Sequence, residues 1–359
     1  MQKSLSDMAK YIRNIITPSI PDAYTVKPMF NQIADDASIR NGVLAFREFL
    51  FLVCDRLTSD GNLYDKPPKP EKDGIISHPS FMEGYPFFNY VKSVLFNIGV
   101  HGIFSENNVS VVINDTESLI MLLNSGGGLS KSKIPTPKMI TVLKFLTSCG
   151  ILFDGINLDE KKPDMTKVMS LEISYPESPF MLIGLKVMAI AQKNLNPKPG
   201  GIYDVFLRCD YRVLLDEDTE TISLLTDFVN PLPAEVQDLV LRLHQLCCDK
   251  GLVCVPNIYL PELTFPYFQK NKEILSFRAT LESGYRFLLK AQKVQKYTDT
   301  IKTFPMPLQE KIAMGYGCDR RRFSKPCVRG CHGFSFPLDD SLLVISRDIE
   351  KWIDEEMSR

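Results

Sequence analysis

Apolar residues recur every three or four positions over much of the chain. Between residues 40 and 56, Val43, Phe46, Leu50 and Val53 fall on one side of a helix with 3.6 residues per turn. The same spacing predicts further helices over residues 87–97, 138–148, 179–192, 234–249 and 346–357. Much of the N-terminal part is therefore expected to be helical.

Other segments have the residue patterns that are typical of β-strands. Val109, Val111 and Ile113 recur at every second position and predict an extended segment within 103–113. Residues 169–174 predict a short strand, and residues 203–215 are expected to be rich in β-structure. The combination predicts an α+β fold, with mixed sheets packed against helices and a helical N-terminal part.

Three polar stretches rich in proline or glycine interrupt these patterns, at residues 60–79, 124–137 and 196–201. A chain of 359 residues is also long for one hydrophobic core. We therefore expect a mostly helical N-terminal domain over residues 1–125 and a mixed α/β domain over 126–359.

Two segments of the second domain resemble each other in their order of patterns. Residues 137–192 and 233–292 each show a helix, a glycine (Gly150 or Gly251), an apolar strand, a second strand and a final helix. The glycines are 101 positions apart, and the final Ala-Gln pairs are 100 apart. An internal duplication and a coincidence between two ordinary α/β units both fit this pattern.

Composition limits the classes of function. Lys and Arg number 42 against 43 Asp and Glu, so there is no bulk attraction to nucleic acid or to an anionic membrane. No apolar run reaches the roughly 20 residues that cross a bilayer. Asp7, Lys10 and Arg13 interrupt the N-terminus where a signal peptide needs an apolar core. An odd count of 9 cysteines favours reduced thiols, and we expect a cytoplasmic protein without a membrane segment.

The segment 315–336 contains several cysteines and a histidine close together in sequence. Cys318, Cys327, Cys331 and His332 are potential ligands of a tetrahedral zinc ion. Their spacing does not match that of a zinc finger or zinc ribbon, and two adjacent ligands rarely bind one ion together. These residues are weak metal candidates, and no metal or other cofactor is expected.

The same segment is strongly basic and contains several glycines. Guanidinium groups bind phosphate or carboxylate with two parallel hydrogen bonds, and glycines let backbone amides approach an anion. We therefore expect a non-catalytic protein that binds a small anionic ligand or a protein partner. The candidate ligand-binding residues are Arg320, Arg321, Arg322, Lys325 and Arg329.

Two other functions stay open. Basic neighbours lower the pKa of a thiol, so a cysteine of the 318–331 group could serve a thiol-dependent enzyme. No catalytic residue is assigned, because the chain has neither a Gly-x-Ser-x-Gly elbow nor an HExxH motif. Residues 140–155 followed by 169–174 resemble part of a winged-helix unit, which implies a nucleic-acid-binding regulator. Helix 138–148 shows only two lysines, so nucleic acid is not the expected partner.

Overall fold

The structure is a computed structural model, and it confirms an α+β fold with a helical N-terminal part. The chain forms two compact units, unit 1 (Met1–Asp218) and unit 2 (Thr219–Arg359). The domain boundary expected at residue 125 stays a prediction. The structure describes residues 4–64, 86–106, 109–123, 137–160, 168–195, 205–215, 220–258, 263–281, 283–291, 294–314 and 333–357.

Helices make up most of the described part of unit 1. Two of them begin at side-chain caps: Ser4 caps α1 by accepting from the amide of Asp7, and Asp35 caps α2 by accepting from the amide of Ser38. The helices are α1 Leu5–Ile15, α2 Asp36–Asp60, α3 Pro86–His101, α4 Thr116–Leu123, α5 Pro137–Ser148, α6 Phe180–Asn194 and α7 Val205–Arg208.

The core of unit 1 forms where α2 and α6 cross with their backbones in close approach. A Cβ atom added at Gly184 would lie 1.9 Å from the carbonyl oxygen of Gly42, which leaves no room for any side chain there. Around this crossing α2 buries Val43, Phe46 and Leu50. Helix α1 packs on α2, and α3 packs on α6.

Unit 1 also contains a small antiparallel sheet. Its strands are β1 Ile103–Phe104, β2 Ser110–Ile113, β3 Leu152–Asp154 and β4 Leu171–Ser174, in the order β1-β2-β4-β3. Strands from both sides of residue 125 therefore lie in one sheet, since β2 pairs with β4. Along the chain this part of unit 1 runs α3, β1, β2, α4, α5, β3 and β4.

Unit 2 is built on a larger antiparallel sheet. Its order is β10-β9-β8-β7-β5, and β6 also pairs with β7. The strands are β5 Val253–Cys254, β6 Asn257–Ile258, β7 Leu263–Gln269, β8 Lys272–Thr280, β9 Gly284–Leu289 and β10 Phe334–Pro337. The helices are α8 Thr221–Val229, α9 Ala234–Asp249, α10 Thr298–Ile301, α11 Met306–Met314, α12 Asp340–Val344 and α13 Ser346–Met357.

The two faces of this sheet differ in chemistry because side chains alternate along each strand. One face is aromatic and meets the helices: Phe265 contacts Phe228 of α8, and Phe334 contacts Trp352 of α13. On the neighbouring strands Phe277 and Phe287 lie on the same face, side by side. The opposite face is polar, with Thr264, Ser276, Arg278, Arg286 and Ser335 at the intervening positions.

Two predictions of local structure were wrong. The described part of segment 203–215 is the helical turn α7 followed by the 3-10 helix Tyr211–Leu214. A short segment that is buried on nearly all sides does not distinguish a strand from a helix by periodicity alone. The second predicted repeat was expected to end in a helix before Ala291, but that segment is β9.

The two predicted repeats share their first half only. Gly150 and Gly251 both have positive φ, and both follow a helix whose last turn closes in the same way. The amide of Ile151 donates to Leu146 O, and the amide of Leu252 donates to Cys247 O. The final helix of the first repeat is α6, whereas the second repeat has β8 and β9 there. The duplication stays a prediction.

Candidate anion-binding site

The basic and cysteine residues predicted at 318–332 lie outside the described residues. They include Arg320, Arg321, Arg322, Lys325, Arg329, Cys318, Cys327, Cys331 and His332. Their segment is joined to α11 at one end and leads into β10 at the other. These two elements meet, because Lys311 Nζ of α11 donates to Ser335 O of β10 over 2.7 Å.

A second cation reaches the same oxygen. Arg286 of β9 donates from Nη2 to Ser335 O over 3.1 Å and from Nε to Ser335 Oγ over 2.5 Å. Lys311 Nζ also lies 4.0 Å from the ring centre of Phe336. An ammonium and a guanidinium group thus converge on one residue of the edge strand. We call Arg286, Lys311 and Ser335 the cation pair site.

The local sequence explains why the three side chains of the cation pair site lie where they do. Arg286 and Ser335 occupy polar-face positions between aromatic residues that face the core, such as Phe287 and Phe336. Lys311 lies in the second turn of α11, where the neighbouring Leu308 and Ile312 are buried. Its side chain is held half-buried by the same packing.

Among the described residues, the two cations of the pair have no ion-pair partner. No carboxylate within the described ranges lies within ion-pair distance of Arg286 or Lys311. Burial, with the positive charge of Arg286 as a second cause, holds the pKa of Lys311 below its ordinary value. Two half-buried cations with neutral hydrogen-bond acceptors favour the approach of an anion, since an anion would relieve their repulsion.

Sequence reasoning missed both cations. Arg286 is a single basic residue in an alternating strand, and Lys311 is a single lysine on a short helix. Neither stands out locally, because they are 25 positions apart and meet only through the pairing of β9 with β10. The one available signal was that Lys311 lies just before the basic segment 315–332.

The polar face carries a second group of charges next to this site. Glu273 of β8 accepts from Arg278 over 3.0 Å and from Lys290. Burial raises the pKa of Glu273, but Lys290, Ser276 and Arg278 outweigh burial and hold this pKa below its ordinary value. Here the carboxylate is ionised and shared between two cations.

A different cluster of charges lies buried in unit 1. Asp210 Oδ1 lies 2.6 Å from Nε of Arg212, and Asp210 Oδ2 lies 3.4 Å from Nη1 of Arg208. Arg208 Nε also donates to Ile15 O of α1. Burial raises the pKa of Asp210, but the two arginines outweigh it and keep this pKa below its ordinary value. The cluster joins α1 to α7, which is a structural role.

The described thiols show no sign of activation. The structure describes six free cysteines, and burial raises the pKa of every one of them: Cys54, Cys149, Cys209, Cys247, Cys248 and Cys254. His244 lies 3.7 Å from the sulfur of Cys248, but burial lowers the pKa of this histidine, so it does not supply a positive charge to the thiol. A thiolate catalyst among these six is therefore disfavoured.

One serine–histidine contact also has a structural explanation. Ser118 Oγ lies 2.9 Å from His101 Nδ1, but Asp115 accepts from the amide of Ser118 as the cap of α4. The carboxylate therefore serves the helix end and does not orient the imidazole as a catalytic triad requires.

Neither a metal cluster nor a membrane span is found among the residues that the structure describes. Over these ranges, no group of three or more His, Cys, Asp or Glu side chains could hold a metal ion. Within the same residues, no helix is long and apolar enough to cross a membrane.

Comparison with known proteins identifies no relative: no family model, no curated protein and no solved structure matches this chain.

Proposed function

We propose that this chain is a non-catalytic cytoplasmic protein whose unit 2 binds a small anionic ligand at the cation pair site. The observation that carries the proposal is the convergence of Arg286 and Lys311 on Ser335, with no carboxylate of the described residues beside them. The basic residues Arg320, Arg321, Arg322, Lys325 and Arg329 belong to the segment that joins α11 to β10, and in this proposal they add charge to the same site.

A small ligand suits this site better than a protein partner. Protein interfaces need a broad surface with large anchoring side chains. The cation pair is compact and half-buried, and the donors of Arg286 and Lys311 both lie at Ser335. Phosphate and carboxylate groups fit such donors, because guanidinium offers two parallel N–H groups.

Calorimetric titration of the full chain with orthophosphate tests the proposal. We expect binding that weakens at least tenfold in Arg286→Ala and in Lys311→Met. Arg320→Ala and Arg321→Ala are expected to weaken it less. The matched control is Arg242→Ala, which removes an exposed arginine of unit 2 that already has Glu350 as its partner. Orthophosphate binding that is unchanged by the first two substitutions would move the site elsewhere.

A second candidate function is nucleic-acid binding by unit 1. The order of elements from α3 to β4 supports it, because a helix pair followed by a hairpin is how winged-helix proteins present a helix to DNA. The exposed side of α5 includes Thr141 and Lys144, of which only Lys144 is basic.

Fluorescence anisotropy with labelled duplex DNA at low and high salt tests this candidate. Binding that weakens with salt and falls about threefold or more in Lys144→Glu would support it. Lys302→Glu, an exposed lysine of unit 2, is the control. An absence of binding at low salt would exclude it.

A further inference from the structure

The polar face of the unit 2 sheet carries two arginines in direct opposition. Arg278 of β8 and Arg286 of β9 lie directly across from each other in the antiparallel ladder. Side chains at such positions have Cβ atoms about 5 Å apart, and like charges placed there destabilise a sheet. Arg278 therefore extends the positive charge of the cation pair site across to the next strand.

Glu273 is the carboxylate that offsets this charge in part. It accepts from Arg278 and from Lys290, so one negative charge is shared between two cations. Arg286 and Lys311 are left to the ligand. A ligand that also reached Arg278 would compete with Glu273 for its guanidinium group.

We infer that the ligand carries a diphosphate group, with one phosphate bound by Arg286 and Lys311 and the other by Arg278. This inference rests on the proposed function. Two arginines directly across the ladder, with Lys311 beside Arg286 at Ser335, suit two linked phosphates better than a single carboxylate or phosphate, because each phosphate then meets its own guanidinium group. Glu273 determines how much negative charge the ligand must carry, because the ligand has to displace Glu273 from the guanidinium group of Arg278.

The test compares inorganic pyrophosphate with orthophosphate by calorimetric titration of the full chain. We expect pyrophosphate to bind at least tenfold more tightly. Arg278→Ala should abolish that difference and leave orthophosphate binding within about threefold of its original strength. Glu273→Gln should strengthen pyrophosphate binding about threefold or more, because the competing negative charge is removed while a polar side chain of the same size stays.

The two proposals fail in distinguishable ways. Equal affinity for the two anions in the original chain, unchanged by Arg278→Ala, would overturn the diphosphate inference and leave the anion site standing. An absence of binding for both anions would overturn the proposed function itself. Trp352 is the only tryptophan and is buried in unit 2, so its fluorescence verifies that each variant is folded.

Discussion

Two clusters of positive charge in this molecule differ in how they are neutralised. In unit 1, Arg208 and Arg212 are almost fully buried with Asp210 between them. In unit 2, Arg286 and Lys311 are half-buried and meet only neutral oxygens and an aromatic ring within the described residues. The first cluster contains its own counter-charge, whereas no carboxylate of the described residues lies within ion-pair distance of Arg286 or Lys311.

This difference separates a structural cluster of charges from a candidate binding site. A buried ion pair is costly to form, but it is tolerated when each charge has its partner. Cations held together without a carboxylate reduce stability, and such local cost is typical of sites that a ligand completes. If this distinction holds, the two clusters should respond in opposite ways when a charge is removed.

The largest effect is expected from breaking the cluster of unit 1. Asp210→Ala leaves two buried guanidinium groups without their carboxylate, so the free energy of unfolding should fall by about 3–5 kcal/mol. Urea denaturation followed by circular dichroism measures the loss. Hydrogen exchange should show lost protection in α1 and α7, because Arg208 links them.

An exposed ion pair gives the control for this prediction. Asp55→Ala removes the partner of Arg13 at the surface of unit 1, where the carboxylate side chain is 62% exposed. The expected loss is no more than about 1 kcal/mol. Equal losses in the two variants would contradict a special role for the buried cluster.

Removing a charge from the cation pair site of unit 2 is expected to have a smaller effect on stability, and in the opposite direction. Lys311→Met keeps the length of the side chain and removes one of the two repelling charges. The free energy of unfolding should therefore rise or change by less than about 1 kcal/mol. Urea denaturation monitored by Trp352 fluorescence reports on this unit. A loss above about 2 kcal/mol would show that Lys311 is mainly structural.

The smallest effect is a pH dependence. The pKa of Lys311 is lowered in the folded chain, so the unfolded chain binds more protons between that pKa and the ordinary lysine value. The stability of unit 2 should therefore rise with pH in this window, and its affinity for orthophosphate should fall as the ammonium group is lost. Urea denaturation at a series of alkaline pH values measures the stability, and orthophosphate titration at the same pH values measures the affinity. Lys311→Met should remove both, and trends that persist in this variant would assign them to another group.

Periodicity predicted most of the helices, and they are confirmed where the structure describes them. Residues 234–249 form α9 with the predicted bounds, and α2 contains the predicted helix 40–56. These segments have a continuous apolar stripe, which a helix requires to pack on a core. The segment 203–215 lacked such a stripe because its described part is buried on nearly every side, and its strand prediction was wrong for that reason.

Neighbouring residues along the chain were enough to predict the α+β class, the helix ends at Gly150 and Gly251, and the basic character of residues 315–332. Only the tertiary structure decided which cations meet. Arg286 and Lys311 converge because β9 pairs with β10 and α11 lies against that edge. Long-range strand pairing leaves no local pattern, so the site that carries the proposal could not be read from residue order.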